Sequence, residues 1–131
     1  MEAKKIVITG SATRIGAAIA VSLARTGVQI TLHYNKSQKE VKKLKTKLLK
    51  TGCDIFLIQA DLSKVREAKK IIPFAYNKMK GLDCLINNAS IFEKDDLVNF
   101  TEKSFNMHLD INLKAPAILT QDFKKYLKSK K

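Results

Sequence analysis

Ile6-Val7-Ile8-Thr9-Gly10-Ser11-Ala12-Thr13-Arg14-Ile15-Gly16 decides how the rest of the chain is read. A short β-branched run stops at a threonine-glycine pair, and an apolar stretch of helical period begins within a few residues. Ile6 to Ile8 therefore reads as a first strand and about Ile15 to Thr26 as a helix, stopped by Gly27. A strand that turns into a helix through a glycine is the opening move of a parallel sheet, because a parallel neighbour has to be reached by a crossover.

The same alternation continues downstream. Val28 to Tyr34 reads as a second strand, and Ser37 is placed to cap a helix running to about Thr51. That helix puts Val41, Leu44, Leu48 and Leu49 on one face, carries seven lysines between Lys36 and Lys50, and ends at Gly52. Asp54 to Gln59 forms a third strand, Asp61 or Ser63 starts a helix through about Lys80 that Pro73 interrupts or kinks, and Leu82 to Asn87 supplies a fourth strand. After a loop from Ala89 to about Thr101 comes one long or broken helix, with Pro116 at a first turn if it restarts. The order is βαβαβαβα, and the fold class is α/β with a parallel sheet.

The 131 residues suffice for one domain, 45% hydrophobic and 28% charged. No apolar run approaches the roughly 18 to 20 residues that span a bilayer, and Met1 to Gly10 runs directly into a strand, so no membrane association and a cytoplasmic location are expected. Cys53 and Cys84 lie far apart without a CxxC pattern and are expected to be buried thiols; His33 and His108 have no metal-ligand spacing, so no metal site is assigned. The formal charge of +13 would suit nucleic acid, but 22 lysines stand against only three arginines, Arg14, Arg25 and Arg66. Arginine supplies the planar fork that phosphate backbones favour, so nucleic-acid binding is the weakest of the functional readings.

Thr9 to Gly16 sits where a phosphate cradle is built. Gly10 allows a sharp turn, Gly16 allows close approach of helix and sheet, and the helix N-terminus offers unpaired N–H groups. The spacing does not match GxGxxG, and an ordinary glycine turn remains open on this segment alone. A ribose 2′-hydroxyl would call for a carboxylate about 20 residues after the first glycine. None occurs between Glu2 and Glu40, whereas Arg14, Lys36 and the Ser37 hydroxyl offer donors suited to a 2′-phosphate. Lys36 can equally be one more surface lysine.

Asn87-Asn88-Ala89-Ser90 at the end of the fourth strand and Asn112 in the last helix complete a constellation. Together with the turn at 9–16 and Asp61-Leu62 after the third strand, they resemble the short-chain dehydrogenase/reductase family over essentially the whole chain. Arg14 in place of the middle glycine, and His33-Tyr34-Asn35-Lys36-Ser37 after the second strand, are similar to its pteridine reductase branch. The resemblance implies an incomplete Rossmann-like, doubly wound sheet of about four strands and a single NADP(H)-binding domain over residues 1–131. It implies cofactor contacts from Gly10, Arg14, Ile15, Gly16, the 33–37 segment, Asp61, Leu62, Asn88, Ala89 and Ser90. Asp61 would bind the adenine amino group or cap a helix, Phe92 would stack on a pterin or serve as a plain loop residue, and Asn112 would be catalytic.

The family's serine, and its tyrosine and lysine four residues apart on the helix after a fifth strand, have no counterpart in these residues. Tyr126-Leu127-Lys128-Ser129-Lys130 spells the pattern, but it follows Asn112 by only 14 residues with no strand between, and it is rejected. The chain thus resembles the N-terminal half of a reductase, inactive alone or completed by a C-terminal polypeptide; a non-catalytic NADPH-binding protein is the alternative. An open strand edge around Cys84-Leu85-Ile86 and an apolar helix face with Ile111, Leu113, Ile118 and Leu119 predict a homo-oligomer.

Overall fold

In the strand Lys4–Ile8 (β1) side chains alternate between the two faces of a sheet, and both faces are covered: Ile6 and Ile8 are buried in one core cluster and Val7 in another. A strand that is apolar on both faces belongs in the middle of a sheet. The computed structural model, which describes residues 4–127, places it there. Val28–Tyr34 (β2) and Asp54–Gln59 (β3) extend the sheet on one side and Cys84–Ile86 (β4) on the other, in the order β3-β2-β1-β4 with every pair parallel. Ile6 stands opposite Ile30 and Cys84, and Ile8 opposite Leu32 and Ile86.

The helices divide between the two faces. Arg14–Leu23 (α1) and Gln38–Leu49 (α2) cover the first through Ala20, Val41, Leu44 and Leu48. Val65–Met79 (α3), Glu102–Leu109 (α4) and Ala115–Leu127 (α5) lie on the second, where Ala68, Ile71, Ile72, Ala75 and Met79 pack with Ile111, Ala115 and Leu119. The chain winds outward from β1 to β3 and then returns to the opposite side of β1 for β4. The carboxyl ends of β1 and β4 are therefore adjacent at the point where the winding reverses, which is where an open α/β sheet leaves a crevice.

Several boundaries differ from the sequence reading. α1 ends at Leu23, three residues before Thr26, and Ser37 precedes α2 without a side-chain capping bond. α3 begins at Val65 and continues unbroken through Pro73. A helix-interior proline costs about 3 kcal/mol. Five buried residues on the same face outweigh it, since full burial of a large aliphatic side chain contributes about 1.5 to 3 kcal/mol. The last helix is continuous, with α4 joined to α5 by a π-helical turn, Asp110–Lys114, in which the Ala115 N–H donates to the Asp110 carbonyl. Pro116 lies just inside α5 and has no N–H for the Asn112 carbonyl four residues back.

Cys53 is buried, but Cys84 is exposed, because β4 is a three-residue edge strand. The four apolar residues of the last helix do not form one open face. Ile111 and Leu119 are buried in the core cluster that α3 also lines, and Leu113 is exposed. No described helix is long and apolar enough to cross a membrane.

Candidate nucleotide-binding site

At the turn after β1, Gly10 has φ +61°, and a Cβ added there would lie 2.8 Å from the Ala89 Cα. At Gly16 a Cβ would lie 2.2 Å from the Gly10 carbonyl oxygen and 2.6 Å from the Asn88 Nδ2. Both positions exclude any side chain, one for conformation and contact together and the other for contact alone.

The close approach is held by a set of bonds that joins the turn to the end of β4. The buried Thr9 hydroxyl accepts from the backbone N–H of Asn88 and of Ala89, each at 3.0 Å. The Asn88 Nδ2 donates to the carbonyls of Thr9 and Gly10, both at 3.0 Å. The glycine turn and the Asn87–Ser90 segment, separate motifs in the sequence, are thus one hydrogen-bonded unit. Thr9 is the first residue of the turn motif at 9–16, and the structure gives it a role of its own that the motif does not state.

His33 ties this unit to the second and third strands. The Gly10 N–H donates to Nδ1 at 3.0 Å, and Nε2 lies 2.9 Å from the Ala60 carbonyl, so the proton sits on Nε2. The Ser11 N–H and hydroxyl both donate to the His33 carbonyl, at 2.9 and 3.1 Å. Burial holds the imidazole below its ordinary titration range, although the bond to Ala60 works in the opposite direction. Both ring nitrogens are therefore spent within the protein.

A cleft of about 640 Å³ opens above this unit. Every expected cofactor contact lies on its wall: Gly10, Arg14, Ile15 and Gly16; His33, Tyr34, Asn35, Lys36 and Ser37; Asp61 and Leu62; Asn88, Ala89 and Ser90. Volume and polarity suit an extended nucleotide. The N-terminus of α1 faces the cleft with no side-chain cap and no acidic residue in its first turn, so its N–H dipoles are uncompensated. Among the described residues Arg14 and Lys36 form no ion pair.

Arg14 also has φ +51°, a left-handed conformation unusual for a side chain of this size. Across the cleft, the Asp61 carboxylate accepts from the Ser63 N–H and hydroxyl at 3.0 and 2.7 Å. Those bonds, chiefly the one from the Ser63 hydroxyl, hold its carboxyl below the ordinary range. Asp61 makes a turn ahead of α3 and does not cap the helix, whose N-cap is Lys64.

Phe92 and Asn112 are not on the cleft wall. Phe92 is 89% exposed, and both ends of the Asn112 amide are bound to one backbone residue: Oδ1 accepts from the Ile91 N–H at 2.8 Å and Nδ2 donates to the Ile91 carbonyl at 2.9 Å. The wall beyond Ser90 is formed by Ile91, Glu93, Met107 and Ile111, which the sequence reading did not assign. Tyr126 packs against the Tyr76 ring, with centroids 4.7 Å apart, on the far part of α5. It is not among the residues that line the cleft, and Lys130 of the same pattern lies outside the described residues.

The glycine turn braced on β4, at the switch point of a parallel sheet, coincides with a match to the short chain dehydrogenase family over residues 4–131. The chain belongs to the short chain dehydrogenase family. An uncharacterised oxidoreductase from Methylorubrum extorquens is 29% identical over 97% of this chain and 51% of its own length. A short chain dehydrogenase from Burkholderia cenocepacia, solved in complex with NADP, superposes with a TM-score of 0.91 at 28% identity, over 95% of this chain and 51% of that one. The alternative dihydrofolate reductase 1 of Brucella canis, also complexed with NADP, gives 0.85 at 29% identity, over 93% and 49%. The chain spans about half the length of these short chain dehydrogenase relatives.

Proposed function

We propose that these residues are the NADP(H)-binding half of a reductase. The observation that carries this reading is the pair of cations, Arg14 and Lys36, without an ion-pair partner among the described residues, on the wall of a cleft with no carboxylate at the end of β2. A 2′-phosphate brings the negative charge that this pair of cations lacks, and the α1 N-terminus is placed for the pyrophosphate. Asp61 follows β3, next to the end of β2, and would take the adenine amino group on the same adenosine half of the nucleotide. Bound NADPH would supply the hydride; this chain's residues bind and orient the nucleotide.

The finer reading is a pteridine-type reductase. His33-Tyr34-Asn35-Lys36-Ser37 and Arg14 support it, as does the likeness to a dihydrofolate reductase complexed with NADP. Proton delivery to a substrate comes from residues other than these, in the same polypeptide or a second one, because among the described residues no tyrosine and lysine four residues apart on one helix line the cleft. Calorimetric titration with NADPH and NADH tests the reading. A preference for NADPH of at least about tenfold is expected, which corresponds to one charge-assisted contact of about 1.4 kcal/mol. Equal affinities would overturn it.

A further inference from the structure

The loop after β4 is gripped by two side chains of one helix, and only one of them belongs to a family motif. Asn112 holds both backbone groups of Ile91. One turn earlier, the His108 Nε2 accepts from the Glu93 N–H at 3.0 Å. Its Nδ1 lies 2.7 Å from the Ser104 carbonyl, which can only accept, so the proton sits on Nδ1 and Nε2 presents its lone pair to the loop.

In an extended chain the N–H and C=O of residue i and the N–H of residue i+2 point the same way. His108 and Asn112 therefore take the place of a partner strand, and residues 91–93 are pinned as an extended segment along the helix. The pleat then sorts the side chains: Ile91 and Glu93 lie on the cleft wall, and Phe92 points away into solvent. We infer that His108 is a positioning residue that sets the wall of the cleft beyond Ser90, where the reacting end of the nucleotide and its substrate would lie. The clamp itself is independent of the proposed function; its effect on NADPH rests on that reading.

His108→Leu keeps the bulk and removes the acceptor, whereas His108→Gln keeps an acceptor of similar reach. The Glu93 amide is solvent-accessible once released, so little change in global stability is expected and the effect is local. Amide exchange followed by NMR should show the Glu93 N–H exchanging about tenfold faster in His108→Leu, with protection restored in His108→Gln. The 15N shifts of His108 should report the Nδ1–H tautomer. Affinity for NADPH should fall about tenfold in His108→Leu, with affinity for adenosine 2′,5′-bisphosphate, which stops short of the loop, unchanged.

A Glu93 amide unprotected in the unaltered protein, or indifferent to His108→Leu, would overturn the clamp, as would an Nε2–H tautomer. Amide release with no change in the ratio of the two nucleotide affinities would overturn the positioning role. If neither nucleotide binds the unaltered chain, the NADP(H) reading fails and the amide and tautomer measurements alone decide the clamp.

Discussion

Replacing Arg14 by glycine and by alanine should separate the two things this residue does. Its φ of +51° is disfavoured by about 1 to 2 kcal/mol for a residue carrying a Cβ. Glycine removes that penalty but loses about 0.5 to 1 kcal/mol more backbone entropy on folding, so Arg14→Gly should be stabilised by roughly 0 to 1.5 kcal/mol. Alanine keeps the Cβ and the strain, and Arg14→Ala should be about as stable as the parent. Both variants lose the guanidinium, and a charged hydrogen bond to the phosphate is worth about 1.5 to 3 kcal/mol, so NADPH should bind about 10- to 150-fold more weakly in each, with NADH little affected. Urea melts read the first effect and titration calorimetry the second. A destabilised Arg14→Gly would refute the assignment of backbone strain. NADPH affinity unchanged in both variants would refute its role at the 2′-phosphate.

Gly16→Ala sets a methyl against the Gly10 carbonyl and Ser11 Cα, backbone atoms that cannot swing aside; a loss of about 1 to 3 kcal/mol in urea melts is expected, with nucleotide binding abolished. His33 is neutral when folded because burial lowers its pKa below 6.5, and Nδ1 has to remain unprotonated to accept from Gly10. The unfolded chain takes up a proton first as pH falls, so the His33 contribution is complete above about pH 6.5 and is lost as pH drops through the folded value, with a slope approaching about 1.4 kcal/mol per unit. His33→Gln should flatten that slope. These residues with NADPH should not turn over any pterin, aldehyde or ketone, and Tyr126→Phe should leave NADPH affinity unchanged; activity abolished by that substitution would restore the rejected motif. The open edge of β4, with Phe92, Leu97 and Val98 exposed nearby in sequence, predicts a dimer or larger species at micromolar concentration, and a monomer in sedimentation over a wide range would count against it.

The sequence alone carried the element order, because it depends on local rules, while the fourteen lining residues of the cleft were named through the resemblance to the short-chain dehydrogenase/reductase family. Period-2 runs such as Ile6 to Ile8, the helical face of Val41, Leu44 and Leu48, and a glycine where a strand becomes a helix can be read within a window of a few residues. It misjudged features governed by competition with distant packing: α3 runs through Pro73 because five of its side chains are buried, and Cys84 is exposed because its strand lies at the edge.

Only the tertiary structure decided how the motifs act on one another. Thr9 and Asn88 are 79 residues apart in bonds that lock the glycine turn to β4, and His33 spends both nitrogens on Gly10 and Ala60. The same holds for the loop after β4, where His108 and Asn112 turn Ile91 and Glu93 toward the cleft and Phe92 out of it. A hydrogen bond between segments leaves no periodic trace in either one, since any residue with the right donor or acceptor satisfies the local pattern. Which atoms it meets is fixed by the strand order and the crossover that bring the segments together.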